Sequence, residues 1–376
     1  MTAVPFRQFV LKVHSRCNLA CDYCYVYETA DQSWRDQPLR MSAVTVDRTV
    51  ERIAEHAGTH RLPSLAVILH GGEPLLAGTD FLTELVHRLR AVVPARVDVS
   101  MQTNGVLLTE ERLAALAGLG VRIGVSLDGG ARATDHHRKF ADGRGSHQHV
   151  ERALRLLEKD RYRGAFGGIL CTVDLDHPPL ATYEALLAYA PPAVDFLLPH
   201  GTWSHPPPAR GAETAGTPYA DWLLAVFDRW YAKGETRVRL FSEIVQSVLG
   251  GTPAVEGLGL RPSTVVVVDT DGAVKQLDSL TLAGSGAADL GLNVADSPFD
   301  AALAHPLTRL RQGGLDSLCE LCRSCPVVRT CGGGLFTHRY DQATGFANPS
   351  VYCPDLLRMI TVIRDRVRAD LPAAAQ

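Results

Sequence analysis

The cysteines of this chain of 376 residues fall mainly into two groups whose spacing is typical of metal ligands. Three of them, Cys17, Cys21 and Cys24, lie in the stretch CNLACDYC. Four more lie within CELCRSCPVVRTC, which begins at Cys319 and is followed by three glycines. Thiols packed this tightly are held by disulfides, by structural zinc or by an iron–sulfur cluster, and each alternative implies a different chemistry.

The first group directly follows an apolar stretch, FVLKVH, that predicts a strand. Three thiolates without a fourth cysteine do not close a structural zinc site, which needs four ligands. Around a 4Fe-4S cluster, three cysteines leave one iron open for a small molecule to chelate. An open zinc site and a chance spacing are the alternatives.

Two further motifs also follow predicted strands: HGGEP at 70–74 and SLDG at 126–129. A third, HHRKF, contains Arg138. Together with the C-x3-C-x2-C spacing and Tyr23 before the last cysteine, these residues resemble the radical S-adenosylmethionine (SAM) superfamily. The resemblance covers roughly residues 6–200.

The resemblance implies a SAM-binding 4Fe-4S cluster on Cys17, Cys21 and Cys24. It implies that Ser126 and Asp128 bind the ribose hydroxyls of SAM and that Arg138 pairs with the methionine carboxylate. The turn that takes the methionine ammonium is Gly71, Gly72, Glu73 and Pro74, where glycines permit close backbone approach and Glu73 supplies charge. Taken alone, Ser126 and Asp128 could instead cap a helix, and Arg138 could lie on a solvated face.

The region from Tyr219 onward resembles the SPASM extension of peptide-modifying radical SAM enzymes. That extension usually binds two auxiliary 4Fe-4S clusters, but here Leu335 and Leu277 stand where the family has cysteines. The resemblance therefore implies one auxiliary 4Fe-4S cluster, with zinc as the alternative. The implied ligands are Cys322, Cys325, Cys331 and Cys353.

Two cysteines stay outside these ligand sets. Cys319 is a spare thiol or a competing ligand, since it begins a C-x2-C-x2-C run with Cys322 and Cys325. Cys171 lies inside an apolar strand, which predicts a core residue.

The stretches CGGGLFTHRYDQATGFANPSVYCPDL and GAVKQLDSL resemble FxsB-type maturases, which install three-residue cyclophanes in ribosomal peptides. The implied activity is a cross-link between an aromatic ring carbon and the Cβ of a nearby residue, made with a 5′-deoxyadenosyl radical. A ribosomal precursor peptide and an external electron donor of the flavodoxin or ferredoxin type are the implied partners. Thioether formation, formylglycine-type oxidation and a non-enzymatic iron–sulfur electron carrier are the alternatives.

Asp278 is the candidate general base that removes the ring proton. It directly follows Leu277, and related SPASM enzymes have a catalytic aspartate beside the cysteine at that position. The alternative is a surface carboxylate in a turn, because an Asp–Ser pair favours turns.

The elements that must position these residues alternate between short apolar runs and longer amphipathic ones up to about residue 200. Six such alternations predict an α/β fold with a parallel sheet, either doubly wound or an incomplete barrel, with ligands at the carboxyl ends of the strands. The resemblance selects a partial (β/α)6 barrel over residues 1–218, followed by a smaller SPASM-like auxiliary domain over residues 219–376. A loop is predicted at 199–218, a hairpin turning at Asp271–Gly272, and a closing helix from Asp355 to about Ala369.

Composition excludes several other classes. The chain is 46% hydrophobic and 21% charged, with a net charge of −3 and no basic run, which argues against a nucleic-acid partner. No apolar run approaches the roughly 20 residues of a membrane span, and no export signal is visible. A cytoplasmic location follows, and in that reducing compartment disulfides are the least favoured use of the cysteines.

Overall fold

The computed structural model describes residues 3–210 and 216–371, and six parallel strands form the centre of its main sheet. These strands are neighbours in the same order as in the chain, without the reversal that a doubly wound sheet requires. The predicted partial (β/α)6 barrel is therefore confirmed. The strands are β1 (Gln8–His14), β2 (Ser64–Gly71), β3 (Arg96–Thr103), β4 (Arg122–Ser126), β5 (Phe166–Thr172) and β6 (Ala193–Leu197).

Helices connect these strands and cover the outer side of the barrel. The first begins after Ser42, whose hydroxyl accepts a hydrogen bond from Thr45 N at 3.0 Å. A short helix before Arg138 was not predicted, and the fifth helix ends at Leu157. The helices are α1 (Ala43–Thr59), α2 (Thr79–Val92), α3 (Glu110–Gly118), α4 (Ala131–His137), α5 (His147–Leu157) and α6 (Pro179–Leu187).

Alternation along the strands separates an apolar outer face from a polar inner face. In β1, Phe9 and Leu11 are fully buried, and Phe9 packs against Phe299 and the α1 residue His56 on the helix side. Since side chains alternate along a strand, Lys12 points to the opposite, inner side. Its register partner in β2 is His70. The interior of the barrel therefore carries polar side chains.

The C-terminal region extends the same sheet at both edges. The predicted hairpin at Asp271–Gly272 is confirmed: β8 (Val265–Val268) pairs antiparallel with β9 (Ala273–Lys275). Strand β8 also pairs in parallel with β1, so the hairpin and β10 (Asp289–Asn293) continue the barrel sheet. A two-residue strand, β7 (Arg237–Val238), pairs with β6 at the other edge.

The remaining helices of the C-terminal region are mostly short. The last begins at Cys353 rather than at the predicted Asp355. They are α7 (Pro218–Lys233), α8 (Arg239–Val248), α9 (Phe299–Ala304), α10 (Pro306–Gln312), α11 (Glu320–Arg323), α12 (Val328–Cys331) and α13 (Cys353–Ala369).

Residues 199–210 contain no helix or strand, in agreement with the predicted loop, while the following positions 211–215 of that loop lie outside the described residues. Within the described parts of the chain, none of the helices has the length and apolar character needed to cross a membrane.

Candidate active site

The first cysteine group lies on the loop that follows β1, at the carboxyl ends of the barrel strands. Cys17, Cys21 and Cys24 are all free thiols of intermediate exposure. A turn in which Cys24 N donates to Cys21 O at 3.1 Å brings these two residues together. Cys17 and Cys21 border an open cavity of about 470 Å³. The loop thus presents two of its three thiols to this cavity, and Cys24 is near enough to both to act on them electrostatically.

Gly71 and Gly72 allow the turn after β2 to lie directly against the start of this loop. Gly72 N donates to His14 O at 2.9 Å, and Glu73 N donates to Arg16 O at 3.0 Å. A Cβ on Gly71 would lie 2.2 Å from His14 O, and one on Gly72 would lie 1.9 Å from the Tyr27 hydroxyl. Both contacts are impossible for a side chain. The two glycines therefore permit a close backbone approach to the cysteine loop, while their role at the methionine ammonium of SAM stays a prediction.

The carboxylate of Glu73 is fully buried beneath this turn. Its Oε1 accepts hydrogen bonds from Leu75 N at 3.0 Å and Thr103 Oγ1 at 2.7 Å, and its Oε2 accepts from Asn104 N at 2.8 Å. Burial raises the pKa of Glu73, while the hydrogen bonds from Asn104 and Thr103 oppose that rise. Glu73 thus joins the end of β2 to the end of β3, and the buried Pro74 starts the following 3-10 turn.

Tyr23, Asp128 and Arg138 come together although they lie on three different loops. Asp128 Oδ2 accepts hydrogen bonds from the Tyr23 hydroxyl and from Arg138 Nε, the latter at 2.8 Å. Asp128 Oδ1 accepts from Thr172 N at 2.9 Å, and the Arg138 guanidinium lies 5.5 Å from the centre of the Tyr23 ring. The charge of Asp128 is the main factor that raises the pKa of Arg138 against the effect of burial. Arg138 is thus held as a cation beside the cysteine loop.

These contacts exclude two alternatives that the sequence left open, namely that Ser126 and Asp128 cap a helix and that Arg138 lies on a solvated face. The N-cap of α4 is Gly130, without a side-chain hydrogen bond, so neither Ser126 nor Asp128 caps that helix. The side chain of Arg138 is 12% exposed, so it does not belong to a solvated face. Ser126 lies on the inner face of β4, where its hydroxyl accepts a hydrogen bond from Gln102 Nε2 at 2.9 Å.

Burial governs the chemistry of the first three thiols. It raises the pKa of Cys17 to about 11 and that of Cys21 to about 12, and it raises the pKa of Cys24 as well. A thiol in this state keeps its proton at neutral pH unless a bound metal displaces it. The site is therefore suited to a metal centre and poorly suited to free thiolate chemistry.

Asp278 lies beside the same end of the barrel, paired with Lys12. The distance from Lys12 Nζ is 3.6 Å to Asp278 Oδ1 and 3.5 Å to Asp269 Oδ2. Both carboxylates raise the pKa of Lys12 against the effect of burial. The Asp278 side chain is only 10% exposed, so it is not a surface turn carboxylate.

The segment that follows Asp278 touches the first cysteine loop. Thr281 Oγ1 donates to Tyr25 O at 2.8 Å, one residue beyond Cys24. Lys12, Val26, Asp278 and Thr281 border a cavity of about 180 Å³. Sequence reasoning missed Lys12, and the signal that could have found it is a lysine in an otherwise apolar strand.

The second cysteine group also assembles in the structure. Cys322, Cys325, Cys331 and Cys353 lie close enough to influence one another electrostatically, and Cys319 hydrogen-bonds to Cys322. Burial raises the pKa of Cys322 to about 12 and that of Cys331 to about 11. Cys171 is fully buried away from both groups in the hydrophobic core, as predicted.

The spacing of these sulfurs is wide. Among the described residues, no three cysteine sulfurs lie within 4.8 Å of one another. Tetrahedral zinc holds thiolates about 3.8 Å apart, because its bonds to sulfur are about 2.3 Å long. A larger centre, such as a 4Fe-4S cluster, fits this spacing better than a zinc ion does.

The three glycines after Cys331 wrap around a buried cation. Gly332, Gly333 and Gly334 have φ values of 61°, 82° and 71°, a left-handed run that favours glycine. Their carbonyls accept hydrogen bonds of 2.6, 3.0 and 2.9 Å from the Arg339 guanidinium. The charges of Cys319, Cys322 and Cys331 act on Arg339, so a positive charge lies beside the second cysteine group.

Leu277, which stands where the family has a cysteine, belongs to an apolar cluster. It packs with Leu280, Ala288 and Phe336 in a small hydrophobic core separate from the main one. Phe346 stacks on Phe336 with ring centres 4.2 Å apart. Side chains therefore fill the space beside Leu277.

A chain of aromatic rings runs between the two cysteine groups. Tyr25, next to Cys24, packs edge-on against His200 at 4.8 Å. His200 Nδ1 lies 3.3 Å from His338 Nε2, and the His338 ring lies 5.1 Å from Tyr352, next to Cys353. Sequence reasoning missed these histidines, whose partners are distant in the chain.

Comparison with known proteins shows which proteins this chain is similar to. Residues 11–174 match the family model of the Radical SAM superfamily. A serine-type anaerobic sulfatase-maturating enzyme of Bacteroides thetaiotaomicron is 23% identical over 90% of this chain and 84% of its own length. A cysteine-type enzyme of Clostridium perfringens is 24% identical over 93% of this chain and 94% of its own length.

Solved structures show the same fold. The structure described as native anSMEcpe with bound AdoMet has a TM-score of 0.81 at 22% identity, and the match covers 97% of this chain and 100% of that one. Streptococcus suis SuiB bound to the precursor peptide SuiA has a TM-score of 0.58 at 13% identity, over 93% of this chain and 76% of that one.

Proposed function

We propose that this chain, which is a radical SAM enzyme, modifies a ribosomally synthesised peptide by joining the Cβ of one residue to the aromatic ring of a residue two positions earlier. Its being a radical SAM enzyme removes the non-enzymatic electron carrier from consideration. A peptide substrate is supported by the sulfatase-maturating relatives and by SuiB, whose structure contains a precursor peptide.

The three thiols of Cys17, Cys21 and Cys24 would hold a 4Fe-4S cluster with one open iron. SAM would bind between Gly71–Pro74, Ser126 and the Tyr23–Asp128–Arg138 group, with the Arg138 cation facing its carboxylate. When bound, SAM and the reduced cluster supply a 5′-deoxyadenosyl radical that removes a hydrogen atom from an unactivated carbon.

Cross-linking removes one hydrogen atom from Cβ and then one proton and one electron from the aromatic ring. The proposed proton acceptor is Asp278, which borders the 180 Å³ cavity beside the first cysteine loop. Lys12 pairs with that carboxylate at 3.6 Å, which fixes its position beside the cavity. The electron needs an acceptor nearby, which an auxiliary 4Fe-4S cluster on Cys322, Cys325, Cys331 and Cys353 would supply.

The observation that carries the cross-linking proposal is the apolar packing around Leu277 directly beside the retained Asp278. Thioether formation and formylglycine-type oxidation usually accompany two auxiliary clusters. In this chain Asp278 is present, but apolar side chains pack around Leu277, where one of those clusters would have a cysteine ligand. The domain division at about residue 218 belongs to the same proposal, with the auxiliary site in residues 219–376.

Oxidation of a serine or cysteine to formylglycine is the second candidate, because the relatives are named as serine-type and cysteine-type sulfatase-maturating enzymes. Both reactions begin at Cβ and both need a base, so Asp278 serves either. The two differ in the fate of the Cβ atom, which becomes a ring substituent in one case and an aldehyde in the other.

The test uses anaerobically reconstituted enzyme, dithionite, SAM and the short peptide encoded beside the gene, deuterated at Cβ. Deuterium should appear in 5′-deoxyadenosine, and the peptide should become lighter by two hydrogens. Mass alone does not separate a cyclophane from formylglycine made from serine. The product is therefore treated with a hydroxylamine probe, which a cyclophane does not bind. An oxime-forming product would overturn cross-linking in favour of the second candidate, and protium-only deoxyadenosine would overturn attack at Cβ.

A further inference from the structure

Three histidines and one aspartate form a cluster at the outer rim of the active site, and the proposed reaction does not use them. His136 and His137 end helix α4, while Asp174 and His177 lie between β5 and α6. One oxygen, Asp174 Oδ2, lies 3.5 Å from His136 Nδ1, 3.2 Å from His137 Nε2 and 3.1 Å from His177 Nδ1. Three imidazole nitrogens thus converge on a single carboxylate oxygen.

His137 connects this cluster to a second carboxylate. Its Nδ1 lies 2.7 Å from Asp22 Oδ1, and its Nε2 lies 3.2 Å from Asp174 Oδ2. The imidazole therefore bridges two carboxylates through its two ring nitrogens.

His177 is the third imidazole of the cluster. Its Nδ1 lies 3.1 Å from Asp174 Oδ2, while its buried Nε2 has no hydrogen-bond partner among the described residues. Its ring stacks on that of His136 with centres 5.7 Å apart. Buried polar atoms are almost always paired, so the unpaired Nε2 points to a missing partner in this cluster.

The distances resemble those between the ligands of a metal ion. Metal–nitrogen and metal–oxygen bonds of about 2.0–2.2 Å place tetrahedral ligand atoms about 3.3–3.6 Å apart. The contacts of Asp174 with His136 and His137, at 3.5 and 3.2 Å, are near that range. By contrast, His56 and His60 contact Asp300 at 2.9 and 2.8 Å, ordinary charge-assisted hydrogen bonds.

We propose that His136, His137 and Asp174 bind one divalent cation of the zinc class. Imidazole and carboxylate donors suit zinc, and the Asp22 carboxylate behind His137 is the outer partner that a metal-bound histidine usually has. The side chain of His136 is 45% exposed, so one coordination position stays open to solvent. Through His137 and Asp22, the cation connects α4 and the segment after β5 to the loop of Cys21 and Cys24.

The experiment adds zinc chloride to the reconstituted iron–sulfur enzyme, removes unbound metal by desalting and measures zinc and iron in the same sample. We expect about one zinc per chain with unchanged iron. The zinc absorption edge should show only nitrogen and oxygen neighbours at about 2.0–2.2 Å. His137→Asn and Asp174→Asn should each weaken zinc binding at least about tenfold and keep their iron.

Two controls keep the result unambiguous. His60→Asn alters the other histidine–aspartate group and should leave zinc binding unchanged. His136→Gln changes a half-exposed ligand and should therefore fold. It is the ligand variant to use if His137→Asn or Asp174→Asn does not fold. The proposal is overturned if the wild type retains no zinc, if His136→Gln and His137→Asn bind zinc as the wild type does, or if sulfur neighbours show that zinc occupies a cysteine site.

Discussion

Lys12 Nζ lies 3.6 Å from Asp278 Oδ1 and thereby connects the first strand of the barrel to the C-terminal hairpin region. The same ammonium lies 3.5 Å from Asp269, which has a second cation in Lys275 at 2.7 Å. Asp278 has Lys12 as its ion-pair partner within the described residues. The candidate base therefore depends on one lysine, which makes this pair the most direct target for mutation.

Replacing Asp278 by Asn separates radical formation from product formation. Asn keeps the shape of the side chain but cannot accept the ring proton as an anion. We expect Asp278→Asn to keep both clusters and to form 5′-deoxyadenosine with peptide, while the cross-linked product falls at least about 100-fold. Both compounds are quantified in one reaction. Asp289→Asn, an exposed carboxylate on the same cavity, is the matched control. Near wild-type product from Asp278→Asn would assign the base to another group.

Arg138→Gln should weaken SAM binding by at least about tenfold, since it removes a buried cation that pairs with Asp128 at 2.8 Å. Equilibrium dialysis of labelled SAM against the reconstituted enzyme gives the dissociation constant. Tyr23→Phe removes one hydrogen bond to Asp128 but no charge, so its effect should be smaller. Arg144→Gln, a surface residue, is the control. Equal affinities of Arg138→Gln and wild type would refute the carboxylate assignment.

Gly72→Ala should prevent loading of the first cluster, because the added Cβ would lie 1.9 Å from the Tyr27 hydroxyl and 2.4 Å from Arg16 O. Displacement of Arg16 moves the adjacent Cys17. Iron analysis should fall from about eight to about four irons per chain. Gly118→Ala, where nothing lies within 4 Å of the added Cβ, should keep the full content. A fully loaded Gly72→Ala protein would show that the loop tolerates the shift.

The proposal of one auxiliary cluster predicts about eight irons per chain in the reconstituted wild type. Cys353→Ala should reduce this value towards four, because it removes a proposed ligand, whereas Cys319→Ala should keep about eight. The two variants are matched, since both thiols belong to the same group. A wild-type value near twelve would mean that a second auxiliary cluster exists. If Cys319→Ala lost iron and Cys353→Ala kept it, Cys319 rather than Cys353 would be the ligand.

Acid should destabilise the enzyme through His338. Burial holds the pKa of His338 well below 6.5 and lowers that of His200 to about 4. A histidine whose pKa is lowered in the folded state binds a proton more readily in the unfolded state. Its contribution to the stability of the fold is therefore complete above about pH 6.5 and decreases as the pH falls below that value. The melting temperature, recorded anaerobically at about pH 7.5 and pH 5.5, should fall between these values. His338→Gln should reduce that fall and the exposed His87→Gln should not. Equal pH dependence of the melting temperature in all three proteins would show that His338 does not cause the loss of stability in acid.

Sequence reasoning succeeds here where the relevant information is local. Strand β1 and the Cys17–Cys24 spacing are contiguous patterns, and the glycine turn at Gly71 and Gly72 is a local backbone requirement. It fails where partners are distant in the chain. The pairing of Lys12 with Asp278, the ring chain through His200 and the joining of β8 to β1 depend on tertiary packing that no short window contains.

The three glycines after Cys331 are visible in the sequence, but their role is not. The structure supplies that role, since their left-handed backbone directs three carbonyls at Arg339. The short helix α4 was missed because its seven residues are too few for a clear apolar period.

The parallel pairing of β1 with β8 also has a consequence for biosynthesis. Phe9 is made some 250 residues before its register partner Val266, an interval of tens of seconds at about 5–20 residues per second. During that interval, one edge of β1 remains unpaired and prone to wrong association. The first cysteine loop likewise waits for Thr281, which contacts Tyr25. The first cysteine loop therefore reaches its final packing only after the segment around Thr281 has been made, and slower synthesis at low temperature lengthens the exposed interval.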